Sequence, residues 1–315
     1  MIIDSACHPT KVVDLAWWHD GEPFTGERLL KMMDGPYTVN GKPRRIDKAL
    51  IQPAEGNTLY TWTDGTRTGR DAIRAYMDYT VELTQKYPDR FLGCFVYNPR
   101  YGTENGALEI ERHAKEFGFK MVQLHANLHA YRPDRAKDWL RPALKKCADL
   151  GLLVRLHTGD GPYSIPTEWV PMIREFPAIS FIMAHFGVQT GGVYCFEPFQ
   201  MAMDMPNVYC ESGYCLQSRI VEFAKDLPKH KIVFGSSTPP NEPGMWLRLL
   251  EVLCMEPPQG LNLDEDSLED YLGNNLARMI GLKPSPPPRT VEEAKTRLAT
   301  KTPLGSVAPR SESVR

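Results

Sequence analysis

The chain has 315 residues, 42% hydrophobic and 24% charged, an ordinary globular composition that excludes a disordered or fibrous protein. Its 37 Lys and Arg against 39 Asp and Glu leave a formal net charge of -2, without the basic excess of a duplex-binding protein. No run reaches the ~18 apolar residues of a membrane span, and seven scattered cysteines read as reduced thiols of a cytosolic protein.

The opening Met1-Ile2-Ile3-Asp4 reads as a strand and lacks the basic and apolar regions of a signal peptide. Short runs rich in β-branched, aromatic and other apolar residues then recur. They lie at 2–4, 48–52, 91–97, 119–124, 152–156, 179–183, 207–210 and 231–234. Each is too short for a helix and sits near Gly, Pro or Asn, which favours a buried strand. Apolar residues returning every three or four positions predict helices at 71–87, 108–117, 133–150, 166–175, 218–225 and 242–255. Strand alternating with helix implies parallel strands with helical crossovers. Eight such units predict an α/β fold, a closed (β/α)8 barrel; an open doubly wound sheet is the alternative.

The segment 9–46, between the first two strands, is long for a loop and carries Trp17, Trp18, His19 and Asp20. In a barrel it reads as a lid over the catalytic face, or as a surface excursion with its own small core. The run Lys283-Pro284-Ser285-Pro286-Pro287-Pro288 cannot continue a helix. It divides a single domain at 1–282 from a Pro-rich, partly disordered extension at 283–315.

Four of the eight histidines, His8, His125, His157 and His185, fall at or just after strand ends. In a barrel those ends converge on one mouth. One such histidine is more often structural, but four from four strands suit a metal centre, because neutral imidazole ligates divalent ions such as zinc or iron. His157-Thr158-Gly159 and His185-Phe186-Gly187 share a pattern, a histidine ending a strand with a glycine two positions on. Cys7 is expected to face the barrel wall, since its neighbour on an alternating strand points the other way. Lys120 and Arg155, within strands, either orient an anionic substrate or fill paired structural roles.

These motifs resemble the amidohydrolase superfamily, in the branch containing aminocarboxymuconate semialdehyde decarboxylase. The resemblance runs from Ile2 to about Leu282. It is carried by Ile3-Asp4 with His8, Tyr87-Pro88-Asp89-Arg90-Phe91-Leu92-Gly93, Gly118-Phe119-Lys120, the two histidine-glycine motifs, Phe234-Gly235-Ser236 and Gly273-Asn274-Asn275-Leu276-Ala277-Arg278. It implies a (β/α)8 barrel with one or two divalent ions (zinc, iron or manganese) at the strand ends. His8 matches a first-strand ligand, His157 the fifth-strand ligand and His185 a ligand or acid/base. Two positions depart from the pattern. The first-strand His-x-His is Ala6-Cys7-His8, and the eighth-strand Gly-Ser-Asp is Gly235-Ser236-Ser237. A serine hydroxyl is uncharged and too weak an acid to act as a base unaided.

The expected metal set is therefore His8 and His157 with His125 or Glu211 added, and His185 and Asp160 are the candidate acid/base groups. The first expectation is metal-dependent hydrolysis at the carbonyl carbon of an ester, thioester, amide or activated ketone. The alternative is non-oxidative decarboxylation of an aromatic or unsaturated acid. A third reading is a metal-free barrel that binds a small molecule or a partner protein. The partner expected is a small-molecule substrate, with a homodimer possible and neither nucleic acid nor membrane involved.

Overall fold

A computed structural model describes residues 1–12, 20–54, 67–187 and 194–284. Strand β1 (Ile3–Cys7) is followed by helix α1 (Gly26–Asp34) and an antiparallel hairpin of β2 (Tyr37–Val39) and β3 (Lys42–Arg44). Strand and helix then alternate: β4 (Lys48–Ile51), α2 (Gly69–Lys86), β5 (Phe91–Tyr97), α3 (Thr103–Phe117), β6 (Met121–Leu124) and α4 (Lys137–Leu150). Next come β7 (Leu153–Leu156), α5 (Val170–Glu175), β8 (Phe181–Met183), α6 (Phe196–Asp204), β9 (Val208–Glu211), α7 (Gln217–Asp226) and β10 (Ile232–Val233). Helices α8 (Pro243–Glu251), α9 (Glu265–Glu269) and α10 (Asn275–Met279) complete the described chain.

All strands except the hairpin form one parallel sheet, ordered β1-β4-β5-β6-β7-β8-β9-β10. The sheet closes on itself: the Ser5 N–H donates to the Phe234 carbonyl (3.1 Å) and the His8 N–H to that of Thr238 (2.8 Å). This is the predicted (β/α)8 barrel, and closure removes the open-sheet alternative. Every strand-like run in the sequence became a barrel strand, because each is buried on both faces and needs no alternation to be recognised.

Helix ends moved more. Helix α3 starts before residue 108 because Gly106 does not break it; a Cβ there would sit 2.2 Å from the Tyr97 ring, so the close approach requires glycine. Residues 133–136 are turns and coil, and α4 begins only at Lys137. The 166–175 segment divides into a 3-10 turn, Pro166–Trp169, and α5. Helix α6 was not anticipated.

Within the long first insertion, α1 buries Leu29, Leu30 and Met33, and the hairpin is anchored by Arg44, which pairs with Glu265 and Glu269. Trp17, Trp18 and His19, on which the lid expectation rests, lie outside the described residues, as does the tail at 285–315. Among the described residues no helix is long and apolar enough to cross a membrane.

The barrel interior is built in layers. At the bottom, Ile3, Leu50, Cys94, Met121, Leu153, Ile182 and Val233 form an apolar cluster, closed from below by Leu276, Ala277 and Ile280. Two residues further along, on the same face of the pleat, stand Ser5, Gln123 and Arg155. Glu211 pairs with Val233 in the β9–β10 register and joins them, all four buried. The next step up reaches His125 and His157. Cys7 lies in the other core cluster, between sheet and helices, as expected.

Candidate active site

The polar layer is one connected network. Arg155 grips Glu211 with two hydrogen bonds, Nε to Oε2 at 2.6 Å and Nη2 to Oε1 at 2.9 Å. Its remaining nitrogen, Nη1, donates to Gln123 Oε1 at 2.6 Å, and the Ser5 hydroxyl donates to Glu211 Oε2 at 2.9 Å. Burial pushes the Glu211 carboxyl up, but the charge and hydrogen bonds of Arg155, with Ser5, hold it below its ordinary value. Arg155 thus takes the paired structural role.

Above this layer three of the four expected imidazoles come together. His157 and His125 stack with centroids 3.6 Å apart and planes 15° from parallel, and His185 stands edge-on to His157 at 5.0 Å. His157 Nε2 is hydrogen-bonded to Asp160 Oδ2 at 2.7 Å, and the Asp160 side chain is 20% exposed. The Thr158 hydroxyl donates to the Ala184 carbonyl at 2.6 Å, tying the ends of β7 and β8. His185 and Phe186 both have positive φ, 60° and 50°, a conformation that side chains other than glycine adopt only under constraint. Glu211 supplies part of it: the carboxylate accepts the His185 backbone N–H, and Oε1 lies 3.6 Å from the ring Nδ1. Tyr214 packs edge-on against His185 at 4.8 Å, backed by Trp246 at 5.7 Å.

His8 belongs to the same rim but is tied to its own side of it. Its Nδ1 lies 3.3 Å from Gln52 Nε2 and 3.5 Å from the Pro53 carbonyl. Where the family pattern has the eighth-strand aspartate stands Ser237, buried and at φ 56°. The carboxylate beside it is Asp4, which accepts from the Ser236 hydroxyl at 2.5 Å and the Ser236 N–H at 2.9 Å. Burial raises Asp4 to about 6, with the Ser236 hydrogen bonds opposing. A separate open groove outside the barrel, about 690 Å³ and bordered by Val170, Ile173, Phe196 and Met201, shares none of these residues.

A family model for amidohydrolases matches residues 3–282. The chain belongs to the amidohydrolase family. Its barrel is similar to that of 5-carboxyvanillate decarboxylase from Sphingomonas paucimobilis, at 14% identity and a TM-score of 0.63 over 90% of this chain and 99% of that one. It is also similar to 2,6-dihydroxybenzoate decarboxylase from Rhizobium, at 14% identity and a TM-score of 0.63, covering 89% and 99%. A third similar structure is dihydroxybenzoic acid decarboxylase from Polaromonas sp. JS666 with bound manganese and the inhibitor 2-nitroresorcinol. That amidohydrolase-fold neighbour is 15% identical, with a TM-score of 0.64 over 89% of this chain and 96% of the other. No curated protein matches the sequence.

Two of the four donors expected of this amidohydrolase, Glu211 and His125, do not fit a divalent-metal centre. Glu211, expected as a carboxylate donor, is engaged on both oxygens by Arg155 and Ser5. His125, expected as a ligand, accepts the Leu128 N–H on Nδ1 at 3.1 Å. Its neutral form therefore carries the proton on Nε2 and has no lone pair left to offer. Stacked rings 3.6 Å apart also hold their lone pairs in separate parallel planes, so His125 and His157 cannot both point at one ion about 2 Å from each. Among the described residues no three His, Cys, Asp or Glu side chains converge to hold an ion. Gln123, Ser5 and Tyr214 were missed at the sequence level; only the two-residue step from Gln123 to His125 signalled a shared inward face.

Proposed function

We propose that this amidohydrolase is a non-oxidative decarboxylase of an aromatic or unsaturated carboxylic acid, R–COO⁻ + H⁺ → R–H + CO2. The observation that carries the reading is the 2.7 Å His157–Asp160 pair, with His185 edge-on beside it. An imidazolium held by a carboxylate is a competent general acid. The proton goes to the carbon that bears the carboxylate. The bond to the carboxylate then breaks, its electron pair restores the π system, and CO2 leaves. Asp160, partly exposed, is the route by which the pair is recharged from solvent. Tyr214, with Trp246 behind it, supplies an aromatic wall suited to a planar substrate. The named structural neighbours, all decarboxylases of hydroxylated benzoates, favour this reading over the hydrolase expected first. Hydrolysis also asks more of the eighth strand, where Ser237 has no charge with which to activate water.

The test is CO2 release from 2,6-dihydroxybenzoate, 5-carboxyvanillate and related hydroxybenzoates. Release that falls about 10²–10⁴-fold in both His157→Ala and Asp160→Asn is expected. Ester or amide cleavage without CO2 release from any acid would return the chain to the hydrolase reading.

A further inference from the structure

The carboxylates and imidazoles at the barrel mouth are each engaged by a partner, and those partners decide what the mouth can hold. We infer that this site is a metal-independent acid–base centre, in which Glu211 braces His185 and does not serve as the metal ligand expected of it. The inference concerns the same site as the proposed decarboxylase, but it stands or falls on metal binding and not on turnover.

Three observations carry it. First, the negative charge of Glu211 is cancelled where it sits, by a guanidinium as fully buried as itself. The layer under the rim therefore offers a cation no net attraction. Second, the same carboxylate accepts the His185 N–H, so moving it toward an ion would release a histidine held at φ 60°. Third, the carboxylate that remains at the rim, Asp160, is hydrogen-bonded to His157 Nε2, and the first- and eighth-strand ligand positions hold Ala6 and Ser237. Recruiting Asp160 as a donor would break that hydrogen bond, and turning both His125 and His157 toward one ion would unstack the pair.

The experiment uses the full chain, expressed in medium supplemented with manganese and zinc and purified without chelator. Elemental analysis is expected to find well under one ion per chain. Melting is expected to be unchanged by either ion or by chelator. A resident site, probed at about 100 times its Kd, would raise the melting temperature by roughly 5 °C or more. Ser237→Asp tests the cause, because aspartate tolerates the left-handed backbone found there. A melting shift with manganese in that variant, absent from the parent, supports the inference. Near-stoichiometric metal in the parent, lost in His157→Ala, would overturn it, whether or not any acid is decarboxylated. If neither protein binds an ion, the parent is still metal-free and only the rescue has failed.

Discussion

The Arg155–Glu211 pair allows a stability effect to be worked from structure to assay. Both side chains are completely buried, so Arg155→Met leaves Glu211 without its counter-charge in an apolar surrounding. Glu211 then folds as the neutral acid, with its pKa above the ordinary 4.5, whereas in the parent it lies below 4.5. The signs are opposite. In the parent the stabilisation is complete above pH 4.5 and is lost as pH falls through the depressed value. In the variant the penalty is absent at pH 4.5 and grows as pH rises. The penalty grows by up to about 1.4 kcal/mol per pH unit while Glu211 stays neutral, toward the ~3–5 kcal/mol typical of a broken buried pair. For a domain of this size that is a fall in melting temperature of roughly 7–14 °C. Arg155→Met/Glu211→Leu, which removes both charges, is expected to recover most of it. Melting of the three proteins at pH 5 and pH 7 measures the effect. A parent–variant gap equal at both pH values, or a double variant no better than the single one, would refute the assignment of Glu211 as a buried anion held by Arg155.

Asp4 provides a second pH dependence of opposite origin. Burial lifts it from 3.8 to about 6, so its ionised form costs stability progressively between those values and by a constant amount above them. Melting of Asp4→Asn relative to the parent should therefore improve by about 2 kcal/mol between pH 4 and pH 6.5 and level off above that; a gap independent of pH contradicts the raised value. Gly106→Ala places a methyl 2.2 Å from the Tyr97 ring and should lower stability by about 1–3 kcal/mol in thermal melting. Asp160→Asn keeps the size of the side chain but removes the charge that holds an imidazolium. Turnover should fall about 10²-fold or more while the melting temperature stays within a few degrees, and a matching loss of stability would assign Asp160 a structural role instead.

The barrel was legible because each buried strand leaves a compact apolar run and each crossover a helical period. The helical insertions were less so: α6 is short, and α1 is embedded in a segment whose composition reads as loop. At the site, the positions of His125, His157 and His185 followed from their places after strands, and the rings do meet. Their roles did not follow. Whether His125 can ligate depends on a single backbone N–H from Leu128, a contact set by a turn three residues long. The fate of Glu211 depends on Arg155, 56 residues away, facing it across the barrel interior.

That last dependence also bears on how a carboxylate at the end of β9 is compatible with the proposed acid–base role of the mouth. An unpaired Glu211 under the imidazoles would compete for the proton that the proposed decarboxylation requires and would favour a cation at the rim. Paired to Arg155, it adds no net charge, yet keeps one acceptor oriented at the His185 backbone. The left-handed turn at His185 and Phe186 is then held from two sides, by that acceptor and by the stacking of Phe186 on Phe223 at 5.0 Å. Two residues in this conformation cost on the order of 1–3 kcal/mol each. Such strain is retained only where something enforces it, and what it achieves here is an imidazole turned edge-on to His157 in place of one that continues the line of β8.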